Sequence, residues 1–481
     1  MLFNSYIFIF LFLPLCLAGY FLCNRRELYR IGLLFLAGMS LAFYAYNHVQ
    51  YVFILVGSIL GNWLLAQLIL RKRDKNGKLL LGMGVGLNVL VLFCFKYLNF
   101  TFFNLNRWMG TSFVIEEIIL PLGISFYTFQ QISYLVDTYR GETKDYTFLE
   151  YATFVSFFPQ LVAGPIVLHQ EIIPQFREKE KKIFNFDNFA AGLYIFATGL
   201  FKKVILADTF GTAVTWGFER PDELSALEIM IVMLSYTFQI YFDFSGYSDM
   251  AIGIAKMFNI EIPHNFNSPY KANSIIGFWD RWHMTLTRFL RQYIYFPLGG
   301  SRKGKIRTYV NVMIVFLVSG IWHGASWTFI LWGMLHGIAN VLNRIFKKSW
   351  ERLHIAFQWL CTFIFINVTW LLFRAESVSQ AFDLFKRLIR LDKFDVSREL
   401  MWCFDLQEFN YIKGIGVITY NVSGFWMWFF MAIGLFACMN MTDVAEKEFR
   451  PTVRKILKTV VMLFWSIISL SGISTFLYFN F

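Results

Sequence analysis

Charged side chains are scarce in this chain: only 16% of its 481 residues are Asp, Glu, Lys or Arg. Hydrophobic residues make up 57%, and the mean hydropathy is +0.50. Soluble domains are about 45–50% apolar, so the composition excludes an ordinary soluble protein. The few charges stand in short runs between long apolar stretches, which is typical of the loops of a helical bundle and unlike the alternation of barrel strands. We therefore expect an all-α polytopic membrane protein.

Several site signatures are also lacking. The chain has six cysteines, most of them in apolar runs, and no CxxC pair, which argues against a disulfide or metal framework. It has no glycine-rich phosphate loop and no GxSxG turn, so a serine hydrolase has little support. We expect no metal ion and no tightly bound cofactor.

The net charge is +12, but its distribution does not indicate nucleic-acid binding. The basic residues flank apolar stretches, and no basic patch carries interleaved residues that would contact bases. Such flanking charges set the orientation of spans and attract anionic lipid headgroups. Membrane lipids are therefore expected partners.

Spans of about 20 apolar residues can be marked along the whole chain, and we expect about eleven true transmembrane helices, with the rest re-entrant or interfacial. The first, 3–23, lacks a basic n-region and is expected to be an uncleaved span. The candidates are 3–23, 31–47, 49–70, 79–99, 118–137, 150–167, 189–215, 226–258, 307–322, 325–345, 353–373, 425–441 and 459–478.

Basic loops give the orientation, because Lys and Arg favour the cytoplasmic side. Residues 24–30 and 71–75 are separated by one hairpin, and residues 347–352 and 447–458 by two spans. All four are expected in the cytoplasm of a cell with the protein in its cytoplasmic membrane, with both termini outside. Segment 374–424 is then external, either as a cap or as a surface for a partner.

The most unusual stretch is 265–343. Three of the chain's seven histidines lie in it, and Trp precedes two of them. Ionisable groups in membrane-length apolar sequence are costly and mark functional sites. Residues 259–306 are too polar to span and too aromatic for a free loop, so we expect short re-entrant or interfacial helices there.

His323 is the first candidate catalytic residue. An imidazole titrates near neutral pH and can take a proton from an attacking hydroxyl. Gly320 and Gly324 permit close approach of the backbone, while Trp322 and Trp327 would form walls of the site. The alternative is a structural histidine bonded to a carbonyl.

His283 is the second candidate. It closes a run of aromatic and charged residues, and guanidinium groups suit the phosphates of an acyl donor with a phosphopantetheine arm. The alternative is an interfacial aromatic belt with snorkelling arginines. The candidate lining residues are Trp279, Asp280, Arg281, Trp282, Arg288 and Arg291.

Three further ionisable residues stand in apolar sequence. His336 cannot share a face with His323 on one straight helix and is expected to be packed or to support the site indirectly. Asp243 and Asp249 would suit a proton relay or cation path in an ion-coupled transporter, although a helix break beside a cavity fits equally well.

Together these motifs resemble the membrane-bound O-acyltransferase family, in particular its bacterial AlgI-type branch. The segments that carry the resemblance are 121–129, 158–160, 163–165, 243–249, 265–270, 278–283, 297–300, 322–324 and the terminal Tyr-Phe-Asn-Phe.

The resemblance implies one membrane-embedded domain over 1–481 with a central tunnel: N-terminal spans in 1–117, a core in 118–345 and C-terminal spans in 346–481. It implies that His323 is the essential histidine and His283 the second family position. The implied activity is transfer of acetyl from cytoplasmic acetyl-CoA outward, where an extracytoplasmic acetyltransferase partner places it on a polysaccharide. Related proteins imply an alternative, transfer of D-alanine from a carrier protein to a teichoic acid.

Overall fold

The computed structural model of the chain is almost entirely helical, which confirms the expected fold class. The structure describes residues 1–46, 48–72, 75–113, 118–391, 393–406, 408, 423–440, 450–470 and 476–477. Within these ranges no β-strand is present, and the single extended contact is an isolated bridge between Phe266 and Trp282.

The helices follow one another in chain order with short connections. They are α1 (Leu13–Arg25), α2 (Tyr29–Ala45), α3 (Gln50–Arg71), α4 (Lys75–Lys96), α5 (Leu98–Met109), α6 (Ile124–Arg140), α7 (Phe148–Ser156), α8 (Phe158–Leu161), α9 (His169–Arg177), α10 (Phe186–Phe201), α11 (Asp208–Glu219), α12 (Ala226–Met257), α13 (Ile275–Trp279), α14 (Met284–Leu290), α15 (Lys305–His323), α16 (Trp327–Ile345), α17 (Lys347–Trp350), α18 (Ile355–Arg374), α19 (Val378–Arg390), α20 (Arg398–Trp402), α21 (Ser423–Asn440) and α22 (Val453–Ile468).

Two compact units are present. The first is built mainly from residues 1–196 and 248–264, and the second from residues 197–247 and most of the chain after 264. All histidines of the motif region 265–343 therefore belong to the second unit. Whether the chain behaves as the single domain that the resemblance implies stays a prediction.

Seven of the described helical stretches are long and apolar enough to cross a membrane. They are Phe8–Arg25, Gln50–Arg71, Lys75–Lys96, Phe186–Glu219, Ala226–Met257, Lys305–His323 and Ile355–Arg374. Two shorter apolar helices, Tyr29–Ala45 and Gly424–Met439, add to them. The chain is a multi-pass membrane protein, and the expected number of about eleven spans stays a prediction.

The candidate span 150–167 is not one helix, which corrects that boundary. Helix α7 ends at Ser156, a short turn of helix follows at Phe158–Leu161, and residues 162–168 are non-helical. Pro159 takes the second position of this short helix, where its missing N–H costs nothing. A Cβ on Gly164 would lie 2.6 Å from the Cα of Gln160, so the chain folds back tightly there.

The first unit holds a buried polar cluster. The Nε2 of His169 lies 3.1 Å from Asp137, and its Nδ1 lies 3.2 Å from the hydroxyl of Tyr146. Arg177 donates to Glu150 at 2.6 Å from its Nε and 2.7 Å from its Nη2. Pairing of this kind offsets the desolvation of buried polar groups and fixes how α6, α7 and α9 join.

In the second unit, segment 259–306 forms short helices as expected. A 3₁₀ turn at Pro269–Lys271, helices α13 and α14, and a π-helical turn at Arg291–Tyr295 follow one another. Neither α-helix exceeds seven residues, far below the 20 or so needed to span. The segment therefore does not cross the membrane as a regular helix.

Helices α15 and α16 meet at two glycines. A Cβ on Gly320 would lie 2.5 Å from the carbonyl oxygen of Phe329, and a Cβ on Gly333 would lie 2.5 Å from that of Phe316. The two glycine Cα atoms also approach each other, since each Cβ would lie 3.0–3.1 Å from the opposite Cα. Glycine at these positions lets two backbones pack closely, as in other membrane helix pairs.

The change Gly333→Ala is therefore expected to lower the stability of the protein by about 1–3 kcal/mol, because an added methyl must force the helices apart. Gly57→Ala is the matched control, since no atom lies within 4 Å of its added Cβ. Alanine favours a helix over glycine by about 1 kcal/mol, so the control should hold or gain stability. Thermal unfolding in detergent measures both, and equal melting temperatures would contradict the close packing.

Candidate active site

His323 is the last residue of α15, at the break between two apolar helices. Residues 324–326 are not helical, and α16 begins at Trp327 after Ser326 accepts a hydrogen bond from the N–H of Thr328 at 3.3 Å. A Cβ on Gly324 would lie 2.2 Å from the ring of Phe329, so the break passes directly over that ring. The expected break beside His323 is confirmed.

The imidazole of His323 is 4% exposed and is enclosed by aromatic rings. Its ring centroid lies 4.9 Å from Trp322, 5.1 Å from Trp332 and 5.2 Å from Phe373, each at a steep angle. Edge-to-face contacts of this kind fix the orientation of a ring and exclude water around it. Charge that develops here during a reaction is therefore weakly screened.

His283 owes its position to an unusual backbone conformation. It has φ of 45° and ψ of 52°, in the left-handed region, and directly precedes α14. Such a conformation in a bulky residue is rare and is found often at functional sites. The backbone is held by Asn265, whose carbonyl oxygen accepts from the N–H of Met284 at 2.9 Å.

The side chain of Asn265 also holds the ring of His283 in one tautomer. Its Oδ1 accepts from the N–H and the hydroxyl of Thr285 at 3.4 and 2.6 Å, which identifies that atom as the oxygen. The Nδ1 of His283 lies 3.2 Å from the same oxygen and must therefore donate its hydrogen. The lone pair of the imidazole is then on Nε2.

Burial also keeps His283 neutral. The residue is fully buried, and desolvation lowers its pKa to about 3. Its ring packs 4.7 Å from Phe244 and 6.1 Å from Trp322. The indole of Trp322 thus contacts the rings of both His283 and His323, so the two candidate histidines belong to one site.

The change Asn265→Asp tests this account through pH dependence. A carboxylate in place of the amide favours the charged imidazole and is expected to raise the pKa of His283 from about 3 towards neutrality. In the natural protein His283 stays neutral at every pH above about 4, so it adds no ionisation to a rate profile between pH 5 and 8. The variant should show one added ionisation there, with activity rising as pH rises and the imidazolium loses its proton. Identical pH profiles of kcat/KM would contradict it.

His336 uses both ring nitrogens within the protein. Trp279 donates its indole N–H to Nδ1 at 3.1 Å, and Nε2 lies 3.0 Å from the hydroxyl of Thr369. That hydroxyl donates to the carbonyl of Ile366 at 2.9 Å, so it accepts from His336. The geometry supports a packed histidine that holds Trp279, and Trp332 contacts it at 4.7 Å.

Sequence patterns did not single out Trp332, Phe373 or Asn265. Trp332 and Phe373 stand in apolar runs where one aromatic residue is like another, and only the packing of α16 and α18 against α15 brings them to His323. Asn265 opens a motif, and its buried amide was the available signal.

The other residues expected in the site are more dispersed. Trp282 is buried in the aromatic core, with ring centroids 5.2 Å from Trp370 and 5.1 Å from Phe266. Trp327 is 46% exposed, and Asp280 pairs with Arg291 at 3.3 Å on an exposed surface. Arg281 and Arg288 are half-buried.

Asp243 lies in a buried ion-pair group. Its Oδ1 is 2.6 Å from the Nζ of Lys203, which also lies 2.9 Å from Asp208, and its Oδ2 accepts from the N–H of Leu477 at 2.7 Å. Lys203 balances this carboxylate within the protein. The pattern analysis overlooked Lys203, although a lysine inside the apolar stretch 186–219 was a signal. Asp249 is buried in the part of α12 that belongs to the first unit.

Two cavities of the second unit lie close to these residues. The smaller one, about 240 Å³, reaches Trp279 and Ser319, and Arg291 and Arg344 are part of its lining. The larger one, about 1160 Å³, reaches Phe373 and Phe329. Phe373 is in ring contact with His323, and Ser319 lies one helical turn before His323 on α15.

The fold and site define a class: a multi-pass membrane protein with two buried histidines at a helix break. Residues 78–377 match the model of MBOAT, the membrane-bound O-acyltransferase family. The chain belongs to this family and is an O-acyltransferase.

Several relatives agree with that assignment. The peptidoglycan O-acetyltransferase of Helicobacter pylori is 41% identical over 100% of this chain and 98% of its own length. The probable alginate O-acetylase AlgI of Pseudomonas aeruginosa is 37% identical over 82% of this chain and 76% of its own length. The teichoic acid D-alanyltransferase of Streptococcus thermophilus is 30% identical over 47% of this chain and 58% of its own length. These matches confirm the resemblance seen in the motifs.

Proposed function

We propose that this O-acyltransferase moves acetyl from cytoplasmic acetyl-CoA across the cytoplasmic membrane to an extracytoplasmic acceptor, for O-acetylation of a cell-envelope or secreted polysaccharide. The relatives named as O-acetylating enzymes match 82–100% of the chain, whereas the D-alanyltransferase matches about half. This difference favours acetyl over D-alanyl. The basic loops favour extracytoplasmic termini.

The observation that carries the proposal is the pair of histidines on one indole. Trp322 contacts His323 at 4.9 Å and His283 at 6.1 Å, and a cavity approaches from each side of α15's last turn. A donor in one cavity and an acceptor in the other would meet at His323. Holding two reactants in such alignment is a large part of catalysis.

The smaller cavity suits the acyl donor. Its inner lining contains Trp279, Val315 and Phe316, which would accept the narrow pantetheine arm, and its basic residues Arg291 and Arg344 are exposed. Guanidinium groups bind phosphates in a fixed fork geometry. The basic loop 302–307 follows in sequence and would add to the attraction of the nucleotide end of acetyl-CoA.

The transfer itself needs one base at a time. The oxygen of the acceptor hydroxyl attacks the thioester carbonyl carbon, and His323 takes the hydroxyl proton. The carbon–sulfur bond then breaks, and the leaving sulfur takes that proton from His323, which leaves a free thiol and an O-acetyl ester. A general base of this kind contributes roughly 10²–10⁴-fold.

His283 has a different role in this scheme because its pKa is about 3. It is a weak base, but its Nε2 lone pair can accept a hydrogen bond from an amide N–H of the donor's pantetheine arm. His283 would therefore hold the donor while His323 handles the proton.

Sealed membrane vesicles of known orientation test the proposal. Acetyl-labelled acetyl-CoA is supplied on the cytoplasmic face only, and envelope fractions are assayed for label with natural protein and with His323→Ala. We expect thioester consumption and external label only with the natural protein. Label that is independent of His323, or donor use only from the opposite face, would overturn the proposal.

A further inference from the structure

The larger cavity of the second unit has properties that bear on which acceptor reaches His323. Its inner end is formed by buried Phe329 and Phe373, whose rings lie 4.7 Å apart. Phe373 lies 5.2 Å from His323. The lining also includes exposed residues, Glu219, Glu376 and Trp402, so the cavity opens at the surface there.

The cavity is acidic. Among the described residues that line it, three are basic and six are acidic, which gives a formal charge of −3. This contrasts with the chain as a whole, whose net charge is +12. The basic residues are Lys203, Arg220 and Arg374; the acidic residues are Asp208, Glu219, Asp243, Glu376, Asp405 and Glu408.

The basic residues have partners inside the protein, so the opening stays acidic. Lys203 lies between Asp208 and Asp243. The guanidinium of Arg220 lies over the ring of Trp216 at 5.8 Å, and that of Arg374 lies over Phe218 at 4.8 Å. A low-dielectric wall with one sign of charge focuses the field into the cavity.

The size and lining favour part of a macromolecule over a small ligand. The volume of about 1160 Å³ exceeds the range of about 300–1,000 Å³ usual for small-molecule sites. Trp216 and Trp402 add aromatic surface, which is enriched where proteins bind proteins. Buried Oε1 of Gln239 and Nε1 of Trp216 have no hydrogen-bond partner in the part of the chain that the structure describes, so each can bind an occupant.

We propose that this cavity receives a positively charged, hydroxyl-bearing segment of an extracytoplasmic protein, and that an anionic polysaccharide strand is not itself admitted to His323. The inference rests on the proposed function. Complementary charge attracts a basic segment, while carboxylates of an acidic polymer would face like charges in a confined space. The acetyl group thus passes from the donor sulfur to a hydroxyl of the partner protein, and the polymer is acetylated in a later step.

Short synthetic acceptors test this with the purified full-length protein and acetyl-CoA. Two serine-containing peptides of equal length carry net charges of about +3 and −3, chosen to complement or match the acidic lining, and a uronate oligosaccharide is the third acceptor. We expect kcat/KM for acetylation to be at least about 10-fold higher with the basic peptide at low salt, and the preference to shrink as salt is added.

Variants at the opening locate the effect. Glu219→Gln together with Glu376→Gln should reduce the charge preference, whereas Glu351→Gln, an exposed glutamate outside the cavity that pairs with Lys347 at 3.7 Å, should not. Equal use of both peptides, or efficient acetylation of the uronate, would overturn the inference while leaving the acyltransferase intact. Absence of any acetyl-CoA consumption would overturn the proposed function, and this inference with it.

Discussion

Acetyl transfer by His323→Ala is expected to fall roughly 10²–10⁴-fold, the usual contribution of a general base. The imidazole is buried among Trp322, Trp332 and Phe373, and no other histidine is in ring contact with it, a statement that covers the described residues. The rate of thioester consumption by purified protein, with label recovered in the acceptor, measures the effect.

Folding of the His323→Ala variant needs its own control, because removing a buried ring also leaves a void. His48→Ala is the matched substitution, since His48 is exposed and lies outside the second unit. The two variants should elute alike in detergent, and only His323→Ala should lose transfer. A folded His323→Ala protein with the natural rate would refute a role as base.

Lys203→Met is expected to cost about 3–5 kcal/mol of stability, as is usual when one partner of a buried ion pair is removed. The Nζ of Lys203 lies 2.6 Å from Asp243, and both side chains are almost completely buried. Without Lys203 the carboxylate keeps its hydrogen bond from Leu477 but has no buried counter-charge among the groups that the structure pairs with it. Thermal unfolding in detergent should show a large decrease in melting temperature.

The double variant Lys203→Met with Asp243→Asn should recover most of that loss, because it removes both charges and keeps an oxygen that can accept from Leu477. Lys347→Met is the control. Its partner Glu351 lies 3.7 Å away with both side chains exposed, so less than about 1 kcal/mol is at stake. A double variant as unstable as Lys203→Met would show that charge burial is not the cause.

Much of the site was predictable because its signals are local. A histidine after tryptophan at a glycine-containing break is visible in the sequence of residues 319–327, and His283 is marked by its charged neighbours. Family motifs then placed both residues together. The helix break and the short helices of 259–306 followed from where polar, proline and glycine residues interrupt apolar runs.

Other residues were beyond local patterns. Asp243 suggested a relay or a cation path, yet its counter-charge comes from Lys203 on a different helix. The charged cluster after Trp279 suggested a buried site, but Asp280 and Arg291 pair on the surface. Ion pairing depends on which helices become neighbours, and the order of residues along one helix does not contain that information.

The sequence by itself determined the membrane class, the helical architecture and the two histidines. Each follows from a property that nearby residues share: hydropathy over the length of a span, or an ionisable group that an apolar run must accommodate. Only the tertiary structure decided that Asn265 fixes the tautomer of His283, that Trp322 joins it to His323, and that an acidic cavity ends one ring away. These are contacts between segments far apart in the chain, and packing of the helices alone creates them.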